Sequence, residues 1–349
     1  METREFLTQS DDVLAKWVSE YFTSGRFDEV LPILKELHER HSQQWGILNM
    51  IGSVLEQQGD FEGAAAHLVK AFSLVPENPV ILNNYAQVLL RLNRLEESFD
   101  TFKRLLTLDP GSDRARAGLR EIRGRQIGID YRDGFRDIGT TLFRGVQYMF
   151  GYGVEGDIAE FGTQSGSSAE VLAYAASMVN RNLGGLRVGC SVYLFDSFEG
   201  LPACDTDVDL ASPLVQSGIW GPGACAKGLN PQELRQRCEI FLPPEQVLIF
   251  EGWFRDTVPT LSDTVRFGVV HVDCDLYAST MDALTPLFER RLIAKGALVL
   301  FDDWNCNHAS PEFGERRAWQ ELVERFNIAF SDEGGYAIAS HKFIVHDYS

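Results

Sequence analysis

Hydrophobic positions follow two different patterns along this chain, one before and one after about residue 150. In the N-terminal part, apolar residues recur at helical spacing, and the pattern repeats every 34 residues, which aligns Gly25, Gly59 and Asn93. From about Val154, short apolar runs alternate with longer amphipathic stretches. The first pattern is typical of stacked helices, and the second of strands separated by helices. We therefore predict an all-α domain followed by an α/β domain.

The 34-residue repeat has the features of a helix–turn–helix unit. Gly59 is placed to end a helix in a left-handed turn, and Pro76 falls where the unit closes. The unit that begins at Trp45 closely resembles a tetratricopeptide repeat. We predict three such repeats within residues 11–113, and a repeat domain over residues 1–113. Its concave surface is predicted to bind a protein partner or a sister subunit, and the alternative is a structural cap without a ligand.

Residues 114–150 are predicted to form a linker and packing helices. The arginines from Arg114 to Arg125 indicate a helix face in solvent. The stretch that follows predicts an amphipathic helix that packs on the second domain. The apolar side of this helix consists of Phe135, Ile138, Leu142, Phe143 and Val146.

Apolar runs and helical stretches alternate through residues 151–349, which predicts a parallel α/β sheet. In such a sheet the carboxyl ends of the strands converge on one edge, where ligands bind. Two of the runs end in acids: Asp273 and Asp275 follow GVVHV, and Asp302 and Asp303 follow ALVLF. These carboxylates predict a hard divalent cation and a hydroxyl-rich ligand at that edge.

The charge balance narrows the classes of partner. The chain carries 50 acidic and 32 basic residues, a formal net charge of −18, which disfavours nucleic acid and anionic membranes. The N-terminal sequence lacks the pattern of a signal peptide, and no apolar run has the length of a membrane span. We expect a cytoplasmic protein whose six cysteines are reduced.

The loop EFGTQSGSS follows the first apolar run and opens a helix. Gly162 and Gly166 allow the backbone to approach a ligand closely, but the G-x-G-x-x-G pattern of dinucleotide sites is missing. The acid at Glu160 disfavours a phosphate and suits a cationic group. The spacing acid-x-Gly-x-x-x-Gly resembles the first motif of class I S-adenosylmethionine-dependent methyltransferases. Asp196 ends the next run, about 36 residues later, where an acid commonly binds a ribose diol.

Four motifs, in order along the chain, point to one family. They are DIAEFGTQSGSSAEVL, LFDSFEGLP, FEGWFRDTVP, and VHVDCDLYAST with the later LVLFDDW. Together they resemble the macrocin O-methyltransferase family, whose members methylate sugar hydroxyls in bacterial natural products. The resemblance covers about residues 140–345 and excludes the repeats. It implies a Rossmann-like class I methyltransferase sheet, with S-adenosylmethionine as cofactor and magnesium as the metal ion.

The resemblance also implies a role for each matching residue. The residues implied to bind the cofactor are Glu160, Gly162, Thr163, Ser165 and Gly166 at its methionine end, Asp196 and Ser197 at the ribose, and Gly252 and Trp253 at the adenine. The residues implied to bind magnesium are Asp273, Asp302 and Asp303. Asp275 would lie near the acceptor hydroxyl, as the catalytic base or as an additional ligand. His308 is a rival base, and His271 is either a further rival or a buried histidine of the core.

We therefore predict a magnesium-dependent O-methyltransferase, a transferase that acts on a sugar hydroxyl of a glycoside or natural product. A divalent cation that chelates a diol would lower the pKa of a hydroxyl and orient it. The alternative is a protein-binding module, in which the repeats are the working part and the α/β domain binds the cofactor without catalysis. A phosphotransferase is disfavoured because the Walker pattern is missing. The sequence does not predict the acceptor, the methylated position or the oligomeric state.

The connection over residues 203–232 is too long for a plain turn. Trp220 lies between Gly218 and Gly221 and could stack on a sugar ring when a lid closes. The alternative is a surface loop that one buried tryptophan anchors to the protein, and the sequence leaves both interpretations open.

Overall fold

The computed structural model of the protein describes residues 9–130, 136–182 and 190–349. Contacts within the chain divide it into two units, Met1–Arg125 and Gln126–Ser349. Among the described residues, no helix combines the length and the apolar character that crossing a membrane requires.

The first unit is formed by consecutive helices, each of which packs against its neighbours in the chain. In its described part the helices are α1 Asp11–Thr23, α2 Phe27–Arg40, α3 Trp45–Gln57, α4 Phe61–Leu74, α5 Pro79–Arg91, α6 Leu95–Leu108 and α7 Asp113–Asp130, the last of which crosses the division between the units. The predicted all-α repeat architecture is confirmed, because α1–α2, α3–α4 and α5–α6 are successive helix pairs.

Glycine allows the two helices of a repeat to lie close together. A Cβ atom on Gly52 of α3 would lie 2.5 Å from Cγ of Leu68 on α4, which a close-packed interior does not tolerate. Gly59 has a φ of +82° just after α3, which is the left-handed helix end that the sequence predicts. Ile51 and Leu68 are fully buried in the same core, so apolar burial holds the pair together.

Helix α7 begins one residue before the segment 114–150, which was predicted to form a linker and packing helices, and extends into it. Its residues Leu119 and Ile122 are buried. A Cβ atom on Gly118 would lie 2.3 Å from the ring of Phe102 on α6. This part of α7 therefore packs as one more helix of the repeat stack, and the predicted domain boundaries stay a prediction.

The second unit is built on a sheet of order β3-β2-β1-β4-β5-β7-β6. Its strands are β1 Asp157–Phe161, β2 Val192–Asp196, β3 Val247–Glu251, β4 Phe267–Val272, β5 Ile293–Phe301, β6 Ala329–Gly335 and β7 His341–Asp347. Strands β1 to β5 are parallel, whereas β7 pairs antiparallel with both β5 and β6. The predicted parallel α/β sheet is confirmed, with an antiparallel hairpin added at one edge.

Helices connect the strands and cover the sheet. The described helices are α8 Arg136–Gly151, α9 Ser167–Asn182, α10 Asp207–Leu210, α11 Pro213–Gln216, α12 Pro231–Cys238, α13 Phe254–Thr257, α14 Tyr277–Glu289 and α15 Gly314–Phe326. Leu142 and Val146 on the predicted apolar side of α8 are fully buried, whereas Phe135 lies outside the described residues. Helix α8 packs against α9, β4 and β5.

The winding of the sheet reverses between β1 and β4. On one side of this point the chain proceeds to β2 and β3, and on the other side to β5. A reversal of this kind opens a crevice at the carboxyl ends of the strands. Below it, the rings of Phe161 in β1 and Phe195 in β2 stack with centroids 4.7 Å apart and fill the core. The ends of β1, β2, β4 and β5 therefore surround one crevice.

Candidate active site

The loops after β1, β4 and β5 stay hydrogen-bonded to one another beyond the strand ends. The amide of Asp273 donates to the carbonyl of Phe161, and the amide of Asp302 donates to the carbonyl of Val272, each at 2.9 Å. These bonds extend the ladder of the sheet, so the first residue after each strand is held beside its neighbour. The acids that end β4 and β5 therefore converge on the crevice.

Three carboxylates form a close group at this crevice, which we call the acid triad: Asp273, Asp275 and Asp303. One oxygen of each lies within 4.8 Å of the others. Asp275 has a left-handed backbone with a φ of 61°, at the turn between β4 and α14. Three oxygen ligands at this separation suit a hard divalent cation.

Asp302, which the resemblance places among the magnesium ligands, lies outside the acid triad. Its Oδ1 accepts a hydrogen bond from the hydroxyl of Ser340 at 3.1 Å. Asp302 and Asp303 are consecutive residues just beyond β5, and of the two only Asp303 has an oxygen within 4.8 Å of those of Asp273 and Asp275. The structure therefore groups Asp275, rather than Asp302, with Asp273 and Asp303.

Burial and mutual repulsion raise the free energy of the ionised acid triad when no cation is bound. Burial raises the pKa of Asp273 and Asp275 well above the ordinary value, and the neighbouring carboxylates of Asp302 and Asp303 raise it further. Burial, followed by the charge of Asp302, raises the pKa of Asp303 to about 6. A bound cation would favour the ionised form of each group, because opposite charges stabilise it.

The carboxylate of Asp196, at the end of β2, shapes the loop between β1 and α9. Its Oδ2 accepts hydrogen bonds from the amide of Thr163 at 2.6 Å, the hydroxyl of Thr163 at 2.9 Å and the amide of Gln164 at 3.1 Å. Its Oδ1 accepts one from the amide of Phe198 at 2.7 Å. An ionised carboxylate has about four acceptor sites, so Oδ1 retains room for one more donor.

Two cavities open at the crevice. The first, which we call the aromatic cavity, carries Phe198, Trp253 and Phe254 on its wall. The second, which we call the acidic cavity, is larger and is lined by the hydroxyls after β1 and by the acids after β4 and β5, Asp302 included. The residues that line both cavities are Gln164, Lys227, Asp273 and Asp275. The two cavities therefore meet at the acid triad.

The residues implied to bind a cofactor divide between these cavities. Those on the wall of the aromatic cavity are Gly162, Asp196, Ser197, Gly252 and Trp253. Thr163 and Ser165 line the acidic cavity. Gly166 lines neither, and a Cβ atom there would lie 2.9 Å from Leu234, so this glycine serves packing. His308, the rival base, is exposed and lines neither cavity.

Glu160, which the resemblance implies at the methionine end of a cofactor, is fully buried and lines neither cavity. It is the register partner of His271 on β4, and its Oε1 lies 2.9 Å from Nδ1 of that ring, with both side chains fully buried. Burial lowers the pKa of His271, but the Glu160 hydrogen bond and the charges of Asp302 and Asp303 raise it overall. Within the described residues, Oε2 of Glu160 and Nε2 of His271 have no hydrogen-bond partner. Oε1 of Glu160 thus has a protein partner, and the implied cofactor contact stays a prediction.

Two buried polar residues that no motif marked fasten the connection 203–232 to the crevice. Asp209 accepts hydrogen bonds from two backbone amides at the start of α14, at 2.8 and 3.0 Å. Oδ1 of Asn307 accepts one from the hydroxyl of Ser212 at 2.8 Å and one from the amide of Leu214 at 3.1 Å. These partners are 68 to 95 residues apart in sequence, so no local sequence pattern predicts the hydrogen bonds between them.

Trp220, for which the sequence leaves open a lid or an anchored surface loop, is only 5% exposed. It lines neither of the two cavities. Its position is that of an anchored tryptophan, on a segment that Asp209 and Asn307 already hold.

Comparison with known proteins assigns the family. A family model described as Macrocin-O-methyltransferase (TylF) matches residues 140–328, which contain the loop after β1 and both acid-bearing strand ends. The chain belongs to the macrocin O-methyltransferase family. A second model, described as a tetratricopeptide repeat, matches residues 55–122. Both resemblances drawn from the sequence are confirmed.

Proteins similar to this family member include named O-methyltransferases. The 8-demethyl-8-(2,3-dimethoxy-alpha-L-rhamnosyl)-tetracenomycin-C 4'-O-methyltransferase of Streptomyces olivaceus is 33% identical over 167 residues, 46% of this chain and 57% of that protein. The demethyldecarbamoylnovobiocin O-methyltransferase of Streptomyces niveus is 28% identical over 204 residues, 55% of this chain and 69% of that protein. The solved structure of the O-methyltransferase NovP aligns with a TM-score of 0.49 and 24% identity, over 60% of this chain and 80% of that one. The chain therefore spans little more than half the length of the first relative.

Proposed function

We propose that this protein transfers a methyl group from S-adenosylmethionine to a sugar hydroxyl of a glycoside or other natural product, with Mg²⁺ at the acid triad. The observation that carries the proposal is the meeting of two cavities at three partly buried carboxylates. Membership of the macrocin O-methyltransferase family supports methyl as the transferred group. The relative named for a rhamnosyl substrate supports a sugar as the acceptor.

The aromatic cavity fits S-adenosylmethionine. The rings of Phe198 and Trp253 offer apolar faces to a flat base, as is usual in cofactor pockets. Oδ1 of Asp196 retains an acceptor site that suits a ribose hydroxyl. Gly162 and Gly252, with φ values of +88° and +129°, present bare backbone on the cavity wall. When bound, the cofactor would supply an activated methyl group, while these residues supply its orientation.

The acid triad fits a hard divalent cation, because its donors are all carboxylate oxygens and their burial raises the pKa of each group. We propose Asp273 and Asp303 as ligands. When bound, Mg²⁺ would polarise an acceptor hydroxyl and lower its pKa. The acidic cavity, which both aspartates line, leaves space beside them for a hydroxylated substrate.

Asp275 is the proposed base. It lines both cavities, so a hydroxyl in one and a methyl donor in the other would meet beside it. Burial, together with the charges of Asp303 and Asp302, raises its pKa well above the ordinary value, and a raised pKa makes the ionised carboxylate a stronger base. Asp275 is therefore placed to take the proton of the acceptor hydroxyl.

Gln164 and Lys227 also stand where the cavities meet. An amide and an ammonium group at this point can donate hydrogen bonds that hold the two substrates in line. Neither residue was singled out from the sequence. Gln164 lies within the marked loop but has a φ of +42°, and this unusual backbone is visible only in the structure.

The experiment that tests the function is methyl transfer from isotope-labelled S-adenosylmethionine to a panel of glycosides, with Mg²⁺ and with a chelator. We expect transfer to a glycoside in Mg²⁺ and none in the chelator. Calorimetry with S-adenosylhomocysteine examines the alternative of a non-catalytic module. A protein that binds the product cofactor but methylates no acceptor under any metal condition would support that alternative.

Gly162→Ala is expected to abolish binding of S-adenosylhomocysteine. A Cβ atom at this position would lie 1.9 Å from the carbonyl oxygen of Asp273, so the loops after β1 and β4 must separate. The matched control is Gly59→Ala, which has a similar φ of +82° but no atom within 4 Å of the added Cβ. We expect both variants to lose about 1 kcal/mol or more from backbone strain, and only Gly162→Ala to lose binding in calorimetry. Equal affinity in both variants would contradict the assignment of this loop.

Asp302→Asn is expected to weaken Mg²⁺ binding less than Asp303→Asn does, because only Asp303 belongs to the acid triad. Isothermal titration of each variant with MgCl₂ measures the difference. Loss of binding in Asp302→Asn with retention in Asp275→Asn would restore the ligand set that the resemblance implied.

We propose that the repeats bind a protein partner or a second copy of the chain. Nδ2 of Asn84 on α5 donates to Oδ1 of Asn49 at 3.0 Å and to the hydroxyl of Ser53 at 3.4 Å, both on α3. Within the described residues, Oδ1 of Asn83 is buried without a partner. Amide groups in this arrangement can exchange hydrogen bonds with a peptide backbone. Light scattering over a concentration series separates self-association from binding to another protein.

A further inference from the structure

Glu315, the second residue of α15, bridges the backbone of the two acid-bearing loops. Its Oε1 accepts a hydrogen bond from the amide of Cys274 at 3.4 Å, and its Oε2 accepts one from the amide of Asp303 at 3.0 Å. Cys274 lies between Asp273 and Asp275 in the chain. One side chain therefore spans the two loops that carry the whole acid triad.

The environment of Glu315 shows why a carboxylate stands here. The residue is 1% exposed and lies beside other acids, where a buried negative charge is costly unless hydrogen bonds compensate it. Only a carboxylate of this length offers two acceptor oxygens without a donor. The backbone of α15 also reaches the site, because a Cβ atom on Gly314 would lie 3.2 Å from the carbonyl oxygen of Asp275.

We propose that Glu315 is a positioning residue of the acid triad, which holds the amides of Cys274 and Asp303 so that the three carboxylates stay within reach of one cation. The proposal rests on the proposed function for the identity of the ion and the reaction, whereas the hydrogen bonds stand without it. Glu315 is not itself within the group of described acids that lie close enough to share an ion. It acts on the ion through the loops.

Glu315→Gln is the decisive variant. Glutamine keeps the size of the side chain and one acceptor, but it turns an N–H donor toward one of the two backbone amides. We expect the affinity for Mn²⁺ or Mg²⁺ alone, measured by calorimetry, to fall about 10- to 100-fold, and kcat to fall similarly with little change in KM for S-adenosylmethionine. Tm without metal should change little, because the cost of one unsatisfied backbone amide is offset by the removal of a charge from a buried acidic cluster. Glu324→Gln, at an exposed position of the same helix, is the matched control and should behave as the wild type.

Amide hydrogen exchange, followed by NMR in the presence of chelator, gives a readout that needs no metal. We expect slow exchange at Cys274 and Asp303 in the wild type and faster exchange in Glu315→Gln. A variant that keeps both its cation affinity and this protection overturns the proposal, and so does a fall in Tm with unchanged cation affinity. If the wild type binds no divalent cation while protection still depends on Glu315, the proposed metal site fails and the positioning of the loops by Glu315 stands.

Discussion

Asp275→Asn is expected to lower kcat for methyl transfer by about 10²- to 10⁴-fold, the usual contribution of a general base. Asparagine keeps the shape of the side chain at the meeting point of the two cavities, but it cannot accept the proton of the acceptor. KM for S-adenosylmethionine should change little, because the aromatic walls and Asp196 remain intact. Single-turnover assays with labelled cofactor measure the effect.

The control for this prediction is His308→Asn, since His308 is the rival base and is exposed outside both cavities. We expect this variant to retain activity. If Asp275→Asn loses Mg²⁺ binding together with activity, Asp275 is a metal ligand, which the geometry of the acid triad also permits. If His308→Asn is the inactive variant, the assignment of the base is wrong.

The location of the crevice could be predicted from the sequence, because it depends on local features. Apolar runs long enough for strands alternate with amphipathic stretches, and parallel strands bring their carboxyl ends to one edge. Asp273 and Asp303 follow from that rule, because Asp273 leaves β4 at the point where the winding reverses and Asp303 follows the neighbouring strand β5. Gly162 follows from the same logic, since a loop that must pass against the end of β4 has no room for a side chain.

The direction of individual side chains at the edge could not be predicted. Asp302 and Asp303 are adjacent, and only the three-dimensional course of the loop shows that Asp302 contacts Ser340 while Asp303 joins the acid triad. Glu160 matches a cofactor motif by spacing, yet the register of β1 against β4 pairs it with His271 in the core. Strand register is a long-range property, and a motif records only the distance along the chain.

The residues that support the site were also beyond the reach of motifs. Glu315 contacts Cys274 across 41 residues of sequence, and Asp209 caps α14 across 68. Neither residue belongs to a recognisable motif. A buried carboxylate that accepts hydrogen bonds from backbone amides cannot be told from any other acid in the sequence. The sequence therefore marked the acids at this edge, but it did not show which of them lie close enough together to form the triad.

In the absence of divalent cations, Tm is expected to fall as the pH rises from about 4 to above 6. Burial and the neighbouring charge of Asp302 raise the pKa of Asp303 to about 6 in the folded protein, whereas an aspartate in an unfolded chain titrates near 3.9. Between these values the native state binds a proton that the unfolded state has lost, so the free energy of unfolding falls with rising pH. Each unit of pKa shift corresponds to about 1.4 kcal/mol, and the raised pKa values of Asp273 and Asp275 act in the same direction.

Mg²⁺ should reverse this loss, because a bound cation stabilises the ionised carboxylates that are costly without it. The gain in Tm on adding MgCl₂ should therefore grow from pH 5 to pH 8, and differential scanning fluorimetry with and without chelator measures it. Asp303→Asn should be less sensitive to pH in the chelator, since it removes one raised group, and should gain little from Mg²⁺. A Tm that rises with pH in the chelator, or a gain from Mg²⁺ that is the same at both ends of the range, would show that the triad is not where the cation binds.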